Sequence, residues 1–173
     1  MSPGLTHAAA SSRPARPTVT AAAVTVPLRP SGDLDSGSVT HSLAAGNRSV
    51  VIDYWTTGDA KTWRAQDTKT IQLSAHIEGG GSADMVKVTR FLATADDGTT
   101  RTSVVDDRGE FVITPPFTYS TALNVLPSAA HARKLTLYVQ FDLLVETAPD
   151  SGTFFRQTVL DSLALPLLQE DPK

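Results

Sequence analysis

RKLTLYVQFDLLVET (residues 133–147) and TFFRQTVLDSLAL (residues 153–165), joined by Ala148-Pro149-Asp150-Ser151-Gly152, decide the fold of this chain. In the first segment Leu135, Leu137, Val139, Phe141, Leu143 and Val145 share one face. Thr136, Tyr138, Gln140, Asp142 and Glu146 fall on the other, the period-2 alternation of a half-buried strand. Only Leu144 breaks the phase. In the second segment Asp161 interrupts the apolar series between Val159 and Leu163, so a β-bulge is expected there, returning Leu163 and Leu165 to the core. Two long strands closed by a turn of Pro, Asp and Gly predict an all-β protein.

Upstream, further strand-like runs occupy Ala21–Leu28, Ser38–Ala44, Arg48–Thr56, Thr68–Glu78, Met85–Ala95, Thr99–Val105, Glu110–Thr114 and Phe117–Val125. The separators are turn formers: Ala45-Gly46-Asn47, Gly79-Gly80-Gly81-Ser82, Asp96-Asp97-Gly98, Asp106-Asp107-Arg108-Gly109 and Pro115-Pro116. No helical pattern long enough for crossovers intervenes, and the one helix candidate is a turn or two over Ser128–Lys134. About nine short strands with regular punctuation predict a β-sandwich of Ig-like or jelly-roll type. No internal repeat supports a solenoid or propeller.

At 173 residues the chain has the length of one domain. Residues 1–20 read as a flexible Pro/Ala/Ser-rich tail, 21–168 as the sandwich and 169–173 as a C-terminal tail. The tail is basic: residues 1–32 carry Arg13, Arg16 and Arg29 and no acid, whereas residues 33–173 carry 12 basic and 18 acidic side chains. An acidic domain repels phosphate backbones, so nucleic acid is not an expected partner. The tail could lie near an anionic membrane or wall polymer, but three charges are fewer than a typical polybasic lipid-binding cluster, and its Ala/Ser/Pro-rich composition favours a solvated linker.

No apolar run reaches the length of a bilayer span, and the start Met-Ser-Pro-Gly-Leu-Thr-His has no apolar core of a signal peptide. Display outside the cytoplasm therefore presupposes that an export signal has been removed. The absence of cysteine excludes disulfides, thiolate metal sites and a cysteine nucleophile within these residues.

Trp55 and Trp63 flank the segment Thr56–Thr62, and with Asp53, Asp59 and Gln66 they form a candidate glycan site. Indole faces stack on the apolar faces of sugar rings, while carboxylates and amides bond hydroxyls. The competing reading has at least one Trp closing the end of the core. Asp33 and Asp35, in Asp-Leu-Asp-Ser-Gly, have the alternation of the first two acids of a calcium loop but lack the later ligands, so a turn explains them as well. The acidic turns Asp96-Asp97 and Asp106-Asp107 share that ambiguity. The histidines at 7, 41, 76 and 131 show no metal-ligand spacing, and no cofactor motif is present. His76 with a nearby acid is the sole hydrolase candidate, without a Gly-x-Ser-x-Gly elbow to support it.

The segments Val51–Thr57, Gln72–Gly80 and Val139–Leu163 resemble uncharacterised cell-envelope proteins of actinobacteria, often lipoproteins. The resemblance spans about residues 33–165 and implies a bacterial envelope location. It carries no site residues, and the missing signal and lipidated cysteine depart from that pattern. The expected function is a non-catalytic domain, displayed on an N-terminal tether, that binds an envelope protein or glycan. The alternatives are a structural subunit of a phage tail or other particle, and a hydrolase.

Overall fold

The computed structural model describes residues 4, 21–22, 29–81 and 84–169. Eight strands follow one another: β1 Ser38–Ala45, β2 Arg48–Trp55, β3 Lys69–Gly79, β4 Val86–Asp96, β5 Arg101–Val112, β6 Tyr119–Val125, β7 Lys134–Glu146 and β8 Phe154–Pro166. They form two antiparallel sheets, β1-β2-β3-β6 and β5-β4-β7-β8. Apart from β1, the order is that of an Ig-type sandwich, with β2, β3 and β6 as A, B and E facing β5, β4, β7 and β8 as C′, C, F and G. The only helical element among the described residues is a 3₁₀ turn, Ala60–Thr62.

Alternation explains the layering. Inward residues of β2 and β3, among them Val50, Ile52, Ile71, Leu73 and Ala75, meet Val88, Phe91, Ala93, Leu137, Val139, Phe141 and Leu163 of the facing sheet, all buried. Phe91 lies 4.9 Å from Phe141 and 5.1 Å from Tyr119 between ring centroids, so aromatic packing joins the sheets at mid-height. Leu144 sits on the outer face beside Lys87 and Arg156, which is why it breaks the apolar phase of β7 without disturbing the core. The β7–β8 turn places Asp150 (φ 58°) and Gly152 (φ 65°) in the left-handed region that Asp and Gly tolerate.

Three expectations are revised. β7 and β8 pair without a register shift from Glu146/Phe154 to Lys134/Pro166, so there is no bulge at Asp161; its side chain stays in phase and points inward. The runs Thr99–Val105 and Glu110–Thr114 are one strand, because β5 continues through Asp106-Asp107-Arg108-Gly109. The bulges lie instead on β4, between Val88 and Arg90 and between Ala93 and Thr94. Residues 128–134 hold one turn, closed by Ala132 N–H to Ala129 C=O, before β7 begins, rather than a helix. Most of the run Ala21–Leu28, and the tails apart from Gly4 and Gln169, lie outside the described residues.

Candidate recognition site

One pole of the sandwich carries the β2–β3, β4–β5 and β6–β7 connections, together with the incoming residues 29–37. Trp55 ends β2 on the outer face and is 38% exposed, whereas Trp63 is 8% exposed and belongs to the core. Its carbonyl accepts from Leu168 N–H at 2.8 Å, fixing the loop to the end of the chain. The pole therefore offers one half-exposed indole, not two. Asp59 caps the 3₁₀ turn by accepting from Lys61 N–H at 3.0 Å, and Gln66 lies on the same loop. Around Trp55 the outer face is polar: Gln72 lies across the ladder, Thr40 donates to Asp53 at 2.6 Å, and Thr70 donates to Asn124 at 3.1 Å. Beside it, a cleft of about 200 Å³ between β5 and β6 is lined by Thr100, Thr102, Asn124, Val125, Leu126 and Ser128 among others.

Asp33 and Asp35 are engaged in the same pole. Asp35 pairs with the Arg29 guanidinium at 2.6 Å, which holds its carboxyl below the ordinary range, and accepts from Gly32 N–H. Asp33 accepts from Ala164 N–H at 2.6 Å while its own N–H donates to Ala164 C=O at 3.0 Å. Asp97 accepts backbone N–H bonds from Ala129, Thr100 and Thr99, which lower its pKa to about 2 and tie two loops together. These carboxylates anchor turns. Among the described residues no group of three or more His, Asp or Glu is arranged to hold a metal ion. Lys69 is 1% exposed, its ammonium donating to Asp67 C=O at 2.7 Å, and burial pulls its pKa down.

The opposite pole is built differently. Here the β3–β4, β5–β6 and β7–β8 connections leave large apolar side chains in water: Met85, Phe111, Val112, Phe155 and, at 60% exposure, Phe117. The ladder places them along one rim. Val112 lies opposite Lys87, Ile113 N–H donates to Val86 C=O, Met85 exchanges main-chain and side-chain bonds with Glu146, and Phe155 lies opposite Val145. Four neighbouring strands at about 4.8 Å spacing give a ridge of roughly 15 Å. Glu146, buried at its centre, accepts from Gly152 and Met85 N–H groups, which hold its carboxyl below the usual range. Arg48, also buried, pairs with Asp84 and donates to Gly81 C=O, so it braces the glycine-rich β3–β4 loop. This apolar grouping was missed in the sequence, where its members are scattered from 85 to 155.

A polar clasp closes each long side of the sandwich. On one, Asp161 accepts from the Tyr54 hydroxyl at 2.8 Å, and His41 Nδ1 lies 2.8 and 3.0 Å from its two oxygens. Burial and the carboxylate together push the Tyr54 hydroxyl pKa up. On the other side Tyr119 donates to Asp107 at 2.8 Å. His76 stands on the outer face of β3 with Nε2 3.1 Å from Glu78 Oε1, on an open sheet surface away from both poles' loops.

The fold and these poles define an antiparallel β-sandwich with one polar and one apolar loop end. Comparison of the chain with known protein families finds no matching family model, and comparison with curated proteins finds no significant match.

Proposed function

We propose that the chain is a non-catalytic recognition domain that acts outside the cytoplasm on its N-terminal tether and grips a protein partner through the apolar pole. One observation carries this reading: among the described residues, five of the nine exposed large hydrophobic side chains gather at a single loop end. Exposed apolar side chains grouped on a rigid frame mark interaction surfaces, whereas scattered ones do not. Loops at a sandwich end can vary without disturbing the core that supports them. The buried Arg48 and Glu146 hold those loops in place, which lowers the entropy lost on binding.

The test places the photo-cross-linker benzoylphenylalanine at Phe117 in cells that produce the protein. One discrete adduct is expected, abolished by Val112→Asp. If position 117 captures no more than the same probe at Ser120 on the outer sheet face, the reading fails.

A second reading, glycan binding, rests on Trp55 and its polar surround of Asp53, Gln72 and Asn124. It predicts glycan-array signals that Trp55→Ala removes; an array without signal, or signals equal in both proteins, rejects it.

A further inference from the structure

Most cations of this acidic domain are matched. Arg48 pairs with Asp84, Lys87 with Glu110, Arg90 with Asp106 and Arg101 with Asp96, and the Lys69 ammonium reaches a main-chain carbonyl. Arg133 and Lys134 are different. They are neighbours in sequence, both are exposed, and neither side chain has an ion pair or a hydrogen bond among the described residues.

Both side chains line one depression of about 350 Å³ on the outer face of the β5-β4-β7-β8 sheet, at the polar pole. Its floor is β7, where Lys134, Thr136 and Tyr138 alternate onto that face at intervals of about 7 Å. The hydroxyls of Thr136 and Tyr138 have no hydrogen-bond partner among the described residues. The β4–β5 turn, Asp96-Asp97-Gly98, makes the wall. Its carboxylates are already answered: Asp96 accepts from Arg101 Nε and Nη2 at 3.1 and 2.8 Å and from Gly98 N–H at 2.8 Å, while Asp97 sits among the N–H groups of Thr99, Thr100 and Ala129. Arg101 also stacks on Tyr138, its Cζ 4.7 Å from the ring centroid, which fixes the phenol beside the two cations. With Arg101 set against Asp96, and Asp97 against one of the pair, the depression keeps a positive charge and two cationic groups with free donors.

We propose that this depression binds a small hydroxylated anion, a sugar unit bearing a carboxylate or a phosphate. Its anionic group lies between Arg133 and Lys134, and its hydroxyls meet Thr136 and Tyr138. A guanidinium fork and an ammonium are the donors that suit oxyanions, and Thr and Tyr hydroxyls both donate and accept, as sugar hydroxyls require. The volume is that of a small-molecule site and exceeds what a bare ion fills. A nucleic acid needs a longer basic track than two side chains on an acidic domain. The depression lies on the opposite sheet from Trp55 and at the opposite pole from Phe117, so it stands independently of both readings above. Both cations are open to water, so the dissociation constant is on the order of millimolar and rises with salt.

A nuclear magnetic resonance titration of the nitrogen-15-labelled full chain tests this, with glucuronate, glucose 6-phosphate, glucose and inorganic phosphate as probes. Saturable shifts are expected at the amides of residues 96–100 and 133–138 with one or both charged sugars, and the tighter of the two identifies the anionic group. Arg133→Ser and Lys134→Ser should each raise the dissociation constant at least about fivefold. Arg156→Ser removes the same charge at the far end of β8 and should leave it within about twofold. No saturable shift with either charged sugar at tens of millimolar overturns the proposal, as does glucose binding equally well. Inorganic phosphate binding as tightly as the sugars marks an adventitious ion only and overturns it too. So do shifts that survive both Arg133→Ser and Lys134→Ser.

Discussion

The sharpest test of the fold's energetics is a double-mutant cycle on Tyr54 and Asp161. Tyr54 is fully buried, and its hydroxyl donates to an Asp161 carboxylate whose side chain is 9% exposed. Asp161→Val fits the apolar phase of Val159 and Leu163 but strands the hydroxyl. A buried donor left unsatisfied costs about 1–3 kcal/mol, and with the His41 bond also lost we expect about 2.5 kcal/mol of destabilisation. Tyr54→Phe leaves Asp161 paired with His41, and about 1 kcal/mol is expected. The double variant has no stranded group, because the partly exposed His41 can turn its Nδ1 to water. Its loss should be about 1 kcal/mol, well short of the sum, giving a coupling of about 2.5 kcal/mol. Urea unfolding of all four proteins, followed by far-ultraviolet circular dichroism, reads this directly. Thermal midpoints should fall by roughly 2–4 °C per kcal/mol. Additivity within about 0.5 kcal/mol would refute the clasp as a coupled pair.

Lys69→Met should raise the unfolding free energy by about 1 kcal/mol, read as a higher urea midpoint, since it removes a buried charge. The lysine's pKa is lowered on folding, so wild-type stability rises as pH climbs through that lowered value, a dependence the variant lacks. Asp97 and Asp106 are held at about 2, below the ordinary carboxylate value, so they add stability above about pH 4 that disappears as pH falls towards 2; thermal midpoints measured across that window should drop. Trp63→Ala should cost about 3–5 kcal/mol and Trp55→Ala within about 0.5 kcal/mol, measured by equilibrium unfolding.

The β7–β8 pair was legible because each inner residue is apolar for a local reason, the two-residue repeat of a sheet with one buried face. β5 was not. It lies at an edge with little burial on either face, where Asp106-Asp107-Arg108-Gly109 costs nothing in strand form and the bulges of β4 absorb the register. Asp161 was misread because its partners, Tyr54 and His41, are 107 and 120 residues away in sequence. Of the candidate site, Trp55 and Trp63 were visible as residue types, but which of the two is buried depends on the Leu168 bond that draws Trp63 inward. The apolar pole left no local pattern, since Met85 and Phe117 come from two separate loops and Phe155 from the start of β8.

The paired atoms of Asp33 and Ala164 also set an orientation. They bring the segment before β1 and the end of β8 together, so residues 29–33 and 167–169 leave from the same pole, beside Trp63. Whatever is fused before or after the sandwich is therefore attached at that pole, and Met85, Phe117 and Phe155 point away from the attachment. Pulling on both flanks at once would load that short junction first, and leave the two sheets and the distal loops without strain until it parts.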